Sequence, residues 1–324
     1  MIISRPDDSG IKRAAEIIRS GGLVSFPTET VYGLGADALN PIAVARIFEA
    51  KGRPFFDPLI VHVSNIGMAS GLVQGFPDRA GLLAERFWPG PLTIVLPKTG
   101  LVPDIVTSGL PTVAIRMPDH RVALDLIDFS GVPIAAPSAN PFGYLSPTKA
   151  EHVMVQLGGR IDMILDGGPC RVGVESTVLK IHGDSVTLLR PGGLGMEEIT
   201  DLIGPVEWGA GPEVESPGQL PYHYSPDSPV RIVEAIREED LQIKNAGFLF
   251  FKKPGFPYPA GSSEILSDDG DLLVAASRLF SCLHRLDKSG KKIILAEAVS
   301  EKGLGLAIMD RLIKASRRVR NETE

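Results

Sequence analysis

The run Lys51-Gly52-Arg53-Pro54 places two cations one residue apart directly after a helical stretch. A residue before proline is pushed toward extended backbone. In extended chain, positions two apart point to one side, so Lys51 and Arg53 are predicted to present their charges together. Such a pair suits a polyphosphate, at about 1.5–3 kcal/mol per charge-assisted hydrogen bond. The competing reading is a helix C-terminus whose cations complement its dipole. Pro137-Ser138-Ala139-Asn140-Pro141 is a second run, stiffened by its prolines. The same two-residue spacing is predicted to put Ser138 and Asn140 on one side, as neutral groups for phosphate or ribose oxygens. A plain surface turn favours the same residues.

Two apolar strands end in arginine: Thr112-Val113-Ala114-Ile115-Arg116 and Val186-Thr187-Leu188-Leu189-Arg190, each with a proline within two residues. Ligands of open α/β sheets sit beyond the carboxyl ends of strands, where an arginine fork suits carboxylate or phosphate; snorkelling to solvent is the alternative. Thr28, Thr30 and Tyr32 alternate along Pro27–Gly33 and are predicted to form a row of hydroxyls. His62 lies in the strand-like run Leu59–Val63, as a core residue or as a partner for a small polar ligand. Ser176 stands at a strand entrance, and Tyr222, His223 and Tyr224 are placed to fold over a planar ring or simply to pack a linker down. The inventory holds cations and hydroxyls but no nucleophile–base pair, which suits charge neutralisation and positioning rather than covalent catalysis. There is no Walker A sequence, His-Glu-x-x-His, paired-cysteine zinc spacing or strand-borne Gly-x-Gly-x-x-Gly.

Elements that position these residues are legible in part. Leu23–Phe26, Leu59–Val63, Leu92–Leu96, Val113–Arg116, Ile161–Leu165, Val178–Ile181 and Val186–Arg190 read as strands. Ile11–Arg19 reads as an amphipathic helix stopped by Gly21-Gly22. Asn40-Pro41 caps a helix running to Ala50. Thr148 with Glu151 reads as a capping box, closed by Gly158-Gly159. Beyond residue 206 the texture changes to a proline-rich stretch without periodicity, containing Pro212, Pro217, Pro221, Pro226 and Pro229. After it come strands at Val230–Val233, Phe248–Phe251 and Ile293–Ala296 and helices at Leu272–Leu286 and Leu306–Val319. The expectation is an α/β (α+β) domain over 1–206, a linker or lid over 207–229 and a small Rossmann-like α/β domain over 230–324.

Of 324 residues, 44% are hydrophobic and 22% charged, an ordinary globular composition. The 35 glycines and 27 prolines make up about a fifth of the chain, which implies many shaped loops. A net charge of −6 excludes a global basic field for nucleic acid, so any anion must be met by a local cluster. Two cysteines lie far apart in sequence and match no metal or redox spacing. The first residues carry no apolar core of signal-peptide length, and the longest uncharged stretch, Phe129–Thr148, is broken by four prolines. A soluble, cytoplasmic protein without membrane contact is expected.

The segments Ser25–Gly35, Lys51-Gly52-Arg53-Pro54, Pro58–Val63 and Pro137-Ser138-Ala139-Asn140 together resemble the YrdC-like threonylcarbamoyl-AMP synthase family, from about Gly21 to Gly193 and in order. Tyr222-His223-Tyr224-Ser225-Pro226 and the small domain after it resemble that family's two-domain branch. The resemblance implies a YrdC-like twisted open sheet with flanking helices. It implies a nucleotidyltransferase that makes L-threonylcarbamoyladenylate and diphosphate from L-threonine, bicarbonate and ATP with Mg²⁺, for threonylcarbamoyladenosine beside the tRNA anticodon, together with tRNA-modification partner proteins. Carried over, Thr30, His62, Arg116, Ala136 and Ser176 would hold threonine. Lys51, Arg53, Asp57, Thr112, Ser138, Asn140, Ser146, Arg190 and Tyr224 would hold ATP, with Lys51, Arg53, Ser138 and Asn140 as the catalytic set and Mg²⁺ carried by the nucleotide rather than by a fixed metal site. Asp57 departs from the asparagine the family often has there. Two other functions fit less well: a carbamoyl-transfer enzyme on the same fold, for which the chain has too few cysteines to form the accompanying zinc fingers, and a non-catalytic double-stranded RNA-binding module, against which the acidic charge argues.

Overall fold

The computed structural model describes residues 2–209, 214–220 and 223–317. Pro212, Pro221, Tyr222 and Val319, which figure in the sequence expectations, lie outside the described residues. In chain order the first part holds β1 (Ile2–Ser4), α1 (Asp8–Arg19), β2 (Val24–Phe26), β3 (Gly33–Asp37), α2 (Pro41–Lys51), β4 (Ile60–His62), α3 (Ile66–Leu72), α4 (Asp78–Phe87), β5 (Leu92–Pro97) and α5 (Asp104–Thr107). It continues with β6 (Thr112–Arg116), α6 (Arg121–Ser130), β7 (Ile134–Ala135), α7 (Ala150–Leu157), β8 (Met163–Leu165), β9 (Thr177–His182), β10 (Ser185–Arg190), α8 (Met196–Ile203) and β11 (Glu207–Trp208). These strands form one mixed sheet in the order β1-β8-β2-β3-β7-β4-β6-β5-β9-β10-β11. The expected 207–229 linker therefore begins with an edge strand, since Glu207 and Trp208 pair in parallel with Thr187 and Leu188.

The second part comprises β12 (Val230–Val233), β13 (Ala246–Lys252), β14 (Ser263–Ser267), α9 (Leu272–Lys288), β15 (Ile293–Glu297) and α10 (Leu304–Ser316). Its sheet, β12-β15-β13-β14, is parallel throughout, the α/β texture expected there. The two parts share one apolar cluster: Val31, Leu145, Val172 and Val174 pack with Leu279, Phe280, Leu283 and Ile308. Burying a side chain of this size stabilises by about 1.5–3 kcal/mol, so the shared cluster ties the second sheet to the first.

Local chemistry explains most boundaries. The Asp7 carboxylate accepts the Gly10 amide at 2.8 Å and starts α1. Asn40 accepts the amides of Ile42 and Ala43 and starts α2, which Gly52 ends in the left-handed conformation at φ 61°. Gly158 caps α7, but the expected capping box is absent. The Thr148 hydroxyl instead meets the Ser281 hydroxyl of α9 at 2.9 Å, and Lys149 occupies the cap position without a side-chain bond. Strand β3, Gly33-Leu34-Gly35-Ala36-Asp37, lay outside the expected strands because its glycines have low strand propensity. Packing demands them: a Cβ on Gly35 would stand 2.7 Å from both Ile134 Cγ2 and Phe26 Cε1.

Candidate active site

Strands β4 and β6 run in parallel with His62 opposite Arg116, so the two last residues stand side by side at one end of the sheet. Antiparallel β5 places Thr93 against Arg116 from the other side. The Thr93 and Ser176 hydroxyls meet at 2.7 Å just before β9. Arg190, the last residue of β10, donates from Nε and Nη2 to the Ser176 carbonyl at 3.1 and 2.8 Å, from Nη2 to the Ser176 hydroxyl at 3.1 Å, and from Nη1 to the Pro217 carbonyl at 3.0 Å. It thereby joins the sheet to the segment beyond β11. Together these walls enclose a space of about 510 Å³, counting the part open to solvent.

Nine of the expected residues line that space: Thr30, Arg53, His62, Arg116, Ala136, Ser138, Ser176, Arg190 and Tyr224. Four more support it from behind. Lys51 is buried, and its ammonium donates to the carbonyls of Ser138 (2.5 Å) and Asn140. Asp57 is fully buried, with Oδ2 2.9 Å from Arg53 Nη2; the Arg53 guanidinium nevertheless aims its donors at the carbonyls of Asp57 (2.9 Å) and Pro58 (2.8 Å), leaving both Asp57 oxygens without an aligned hydrogen bond. Asn140 turns its amide to the Pro141 and Tyr144 carbonyls, at 2.8 and 2.9 Å. Ser146 donates to Glu175. Thr112 opens β6, four residues before Arg116, and is not part of the lining.

Three expectations of side-chain direction fail for one reason. Lys51 is the last residue of α2 and Gly52 is left-handed, so no extended Lys51–Arg53 segment exists. Ser138 faces the cavity while Asn140 does not. The Thr28–Tyr32 segment bends rather than alternating: Thr28 and Thr30 join hydroxyls at 2.8 Å, whereas Tyr32 donates to the Gly168 carbonyl at 2.7 Å. The two-residue alternation holds for strands, and none of these segments is one.

Charge is concentrated here and mostly buried. Glu29, absent from the expected set, pairs with Arg116 at 2.6 Å. Glu175 lines the cavity; burial pushes its carboxyl up, but Arg311, Arg190 and the Ser146 hydroxyl outweigh burial and hold it low. Burial lowers Lys51 well below the usual lysine range, with the neighbouring Arg53 adding to the effect. It lowers Arg53 and Arg190 as well. No carboxylate among the described residues pairs with Lys51 or Arg190 within 4.0 Å. A buried cation without a counter-ion is costly, and an anionic ligand would repay that cost. His62 is held down to about 3 by burial and then by Arg116, so it stays neutral. Its Nδ1 is buried without a hydrogen-bond partner.

A family model described as "Telomere recombination", for Sua5, YciO and YrdC, matches residues 16–192. The threonylcarbamoyl-AMP synthase of Pyrococcus abyssi is 48% identical over 96% of this chain and 95% of its own. The chain belongs to the threonylcarbamoyl-AMP synthase family. A second model, "Threonylcarbamoyl-AMP synthase, C-terminal domain", matches residues 194–317, so the chain has both parts of a two-domain threonylcarbamoyl-AMP synthase. The Bacillus subtilis family member is 46% identical over 96% of this chain and 94% of its own. The crystal structure of Pyrococcus abyssi Sua5 complexed with L-threonine matches with a TM-score of 0.89 at 44% identity, over 97% of this chain and 96% of that one. No helix among the described residues is long and apolar enough to cross a membrane.

His223, singled out in the sequence beside Tyr224, also lines the cavity, and beyond the expected residues the lining takes in Glu175, Pro217 and Gly218. Glu175 carried a sequence signal, standing next to Ser176 at the same strand entrance. Pro217 and Gly218 carried none beyond the proline-rich texture of the stretch.

Proposed function

We propose that this chain forms L-threonylcarbamoyladenylate and diphosphate from L-threonine, bicarbonate and ATP, the step that feeds threonylcarbamoyladenosine formation in tRNA. The observation that carries the reading is a cavity, partly open to solvent, lined by two buried arginines. Arg116 has a carboxylate partner and stands beside neutral His62, whereas Arg190 has none. Arg116 uses Nη2 for Glu29, and its Nη1 edge would meet the carboxylate of threonine. Thr30, Ala136 and Ser176 would orient the amino acid, and neutral His62 would exchange a hydrogen bond with it without adding charge. Arg53 and Arg190 would face the triphosphate, and Lys51 would fix the Ser138–Asn140 loop against it.

In the reaction, the threonine amine adds to bicarbonate with loss of water, giving a carbamate. A carbamate oxygen then attacks the α-phosphorus in line, and the bond to the β-phosphate oxygen breaks. Charge spreads over phosphate oxygens in that step, and positioned cations stabilise it. Mg²⁺ would travel with the ATP. Supply to the tRNA-modifying machinery would be through the released adenylate.

A pyrophosphate-release assay tests this reading. Release should require ATP, threonine and bicarbonate together, and omission of any one should abolish it. Release that ignores threonine, or carbamoyl phosphate serving in place of bicarbonate, would refute it in favour of another chemistry on this fold.

A further inference from the structure

Arg53, Arg116 and Arg190 line the cavity, and Glu175 is the one carboxylate among its described lining residues. Its side chain is buried and held from two sides. The Ser146 hydroxyl donates to Oε1, and Arg311 Nε of α10 donates to Oε2 at 2.8 Å. The Gly193 amide pins its carbonyl at 2.8 Å. Burial pushes the carboxyl up, but Arg311, Arg190 and Ser146 outweigh it, so the group is ionised at neutral pH. An ionised carboxylate accepts at about four lone-pair sites and donates nothing. Ser146 and Arg311 occupy two of these, which leaves about two for a ligand. The surroundings belong to the nucleotide set: Ser146 is one of the residues expected to hold ATP, and the Arg311 guanidinium carbon stands 5.0 Å from the ring centre of Tyr224, another. Arg116, by contrast, has its own carboxylate partner in Glu29.

We infer that Glu175 is a specificity-determining residue for the sugar of the nucleotide: its carboxylate accepts hydrogen bonds from the ribose 2′- and 3′-hydroxyls and so selects ribonucleotides over deoxy forms. The inference rests on the nucleotide reading above and assigns that site a group the reading leaves without a ligand. Phosphate oxygens are anionic acceptors, so this carboxylate repels them and they fall to Arg53 and Arg190. The donors that remain on ATP are the ribose hydroxyls and the adenine amino group. Acceptor nitrogens flank the amino group, and a carboxylate repels those as well, whereas hydroxyls rotate to donate. The ammonium of threonine is a donor too, but it belongs with the carboxylate that Arg116 would hold, away from Ser146 and Tyr224. Because Ser146 and Arg311 already fix the Glu175 side chain, little ordering cost remains when the sugar arrives. A site built to bond a hydroxyl rejects the analogue that lacks it.

Isothermal titration of the full chain, in Mg²⁺, with ATP, 2′-deoxy-ATP, 3′-deoxy-ATP and ITP reads the contact directly. The wild-type protein should bind each deoxy form at least about tenfold more weakly than ATP. Glu175→Gln keeps the shape but offers one acceptor oxygen and no charge. It should lose most of that discrimination, while its preference for ATP over ITP stays that of the parent. Glu175→Asp keeps a charge for Arg311 but withdraws it by one methylene. It should lose discrimination as well, and it carries the test if Glu175→Gln does not fold. Equal binding of ATP and both deoxy forms by the wild type would overturn the inference. So would discrimination retained in full by a folded variant, or a variant whose only change is a higher KM for threonine. A wild-type protein that binds none of the four nucleotides would instead bring down the nucleotide reading itself.

Discussion

Arg190 and Arg116 both end apolar strands, and they differ in what they hold. Glu29 balances Arg116, whereas Arg190 meets only carbonyl and hydroxyl oxygens. Arg190→Ala should therefore cost nucleotide binding first: a loss of two or more charge-assisted bonds of about 1.5–3 kcal/mol each weakens ATP on the order of a hundredfold or more. Isothermal titration with ATP and Mg²⁺ reads that directly, and unchanged affinity would separate Arg190 from the phosphates. His62 gives a stability test. Burial, then Arg116, holds it near 3, while the unfolded side chain titrates near 6.5. Between those values the unfolded chain binds a proton that the folded one refuses. His62's contribution is thus intact above about pH 6.5 and is lost as pH falls toward 3, by up to about 1.4 kcal/mol per pH unit. Urea unfolding between about pH 7 and pH 5 should show the slope, and His62→Gln should remove about one proton from it; an unaltered slope would contradict a buried neutral ring. These residues were legible because strands ending in arginine before proline, and a histidine inside an apolar strand, are local patterns. Glu175's partner Arg311 lies 136 positions away, and no local pattern announces such a pair.

At the scale of elements, the loop carrying Val172 and Val174 approaches α9 so closely that only glycine fits between. Gly173 has φ 77°, and a Cβ there would stand 2.4 Å from Ser277 Cα and 2.5 Å from the Ala276 carbonyl. Gly173→Ala should destabilise the chain by on the order of 3 kcal/mol, from backbone strain and overpacking together. It should also loosen the seam between the two sheets; a variant as stable as the parent in urea would remove that contact from the account. Helix starts at Asn40 and stops at Gly52 and Gly158 were readable because caps are written within a few residues. The strands β1, β3, β7, β11 and β14 were not: β1, β7 and β11 are two or three residues long, β3 carries two glycines, and β14 has only two apolar residues among its five. Thr148 shows the same limit: its spacing to Glu151 fits a cap, but a hydroxyl on α9 competes for it and wins.

At the scale of the whole molecule, one hollow is lined by residues of β3, β4, β6 and β10, by the turns beside them, and by Pro217, Gly218, His223 and Tyr224. The sequence announced two α/β parts and most of the hollow's lining. It did not announce that the second part reaches back to the first, because that follows from tertiary packing alone. The decisive measurement is mass spectrometry of the products formed from Mg²⁺-ATP, L-threonine and ¹³C-bicarbonate. Expected is a threonine-bearing adenylate one mass unit heavier than with ordinary bicarbonate, formed in step with diphosphate. An adenylate that lacks the label, or ATP left intact with all three substrates present, would contradict the function assigned to the hollow.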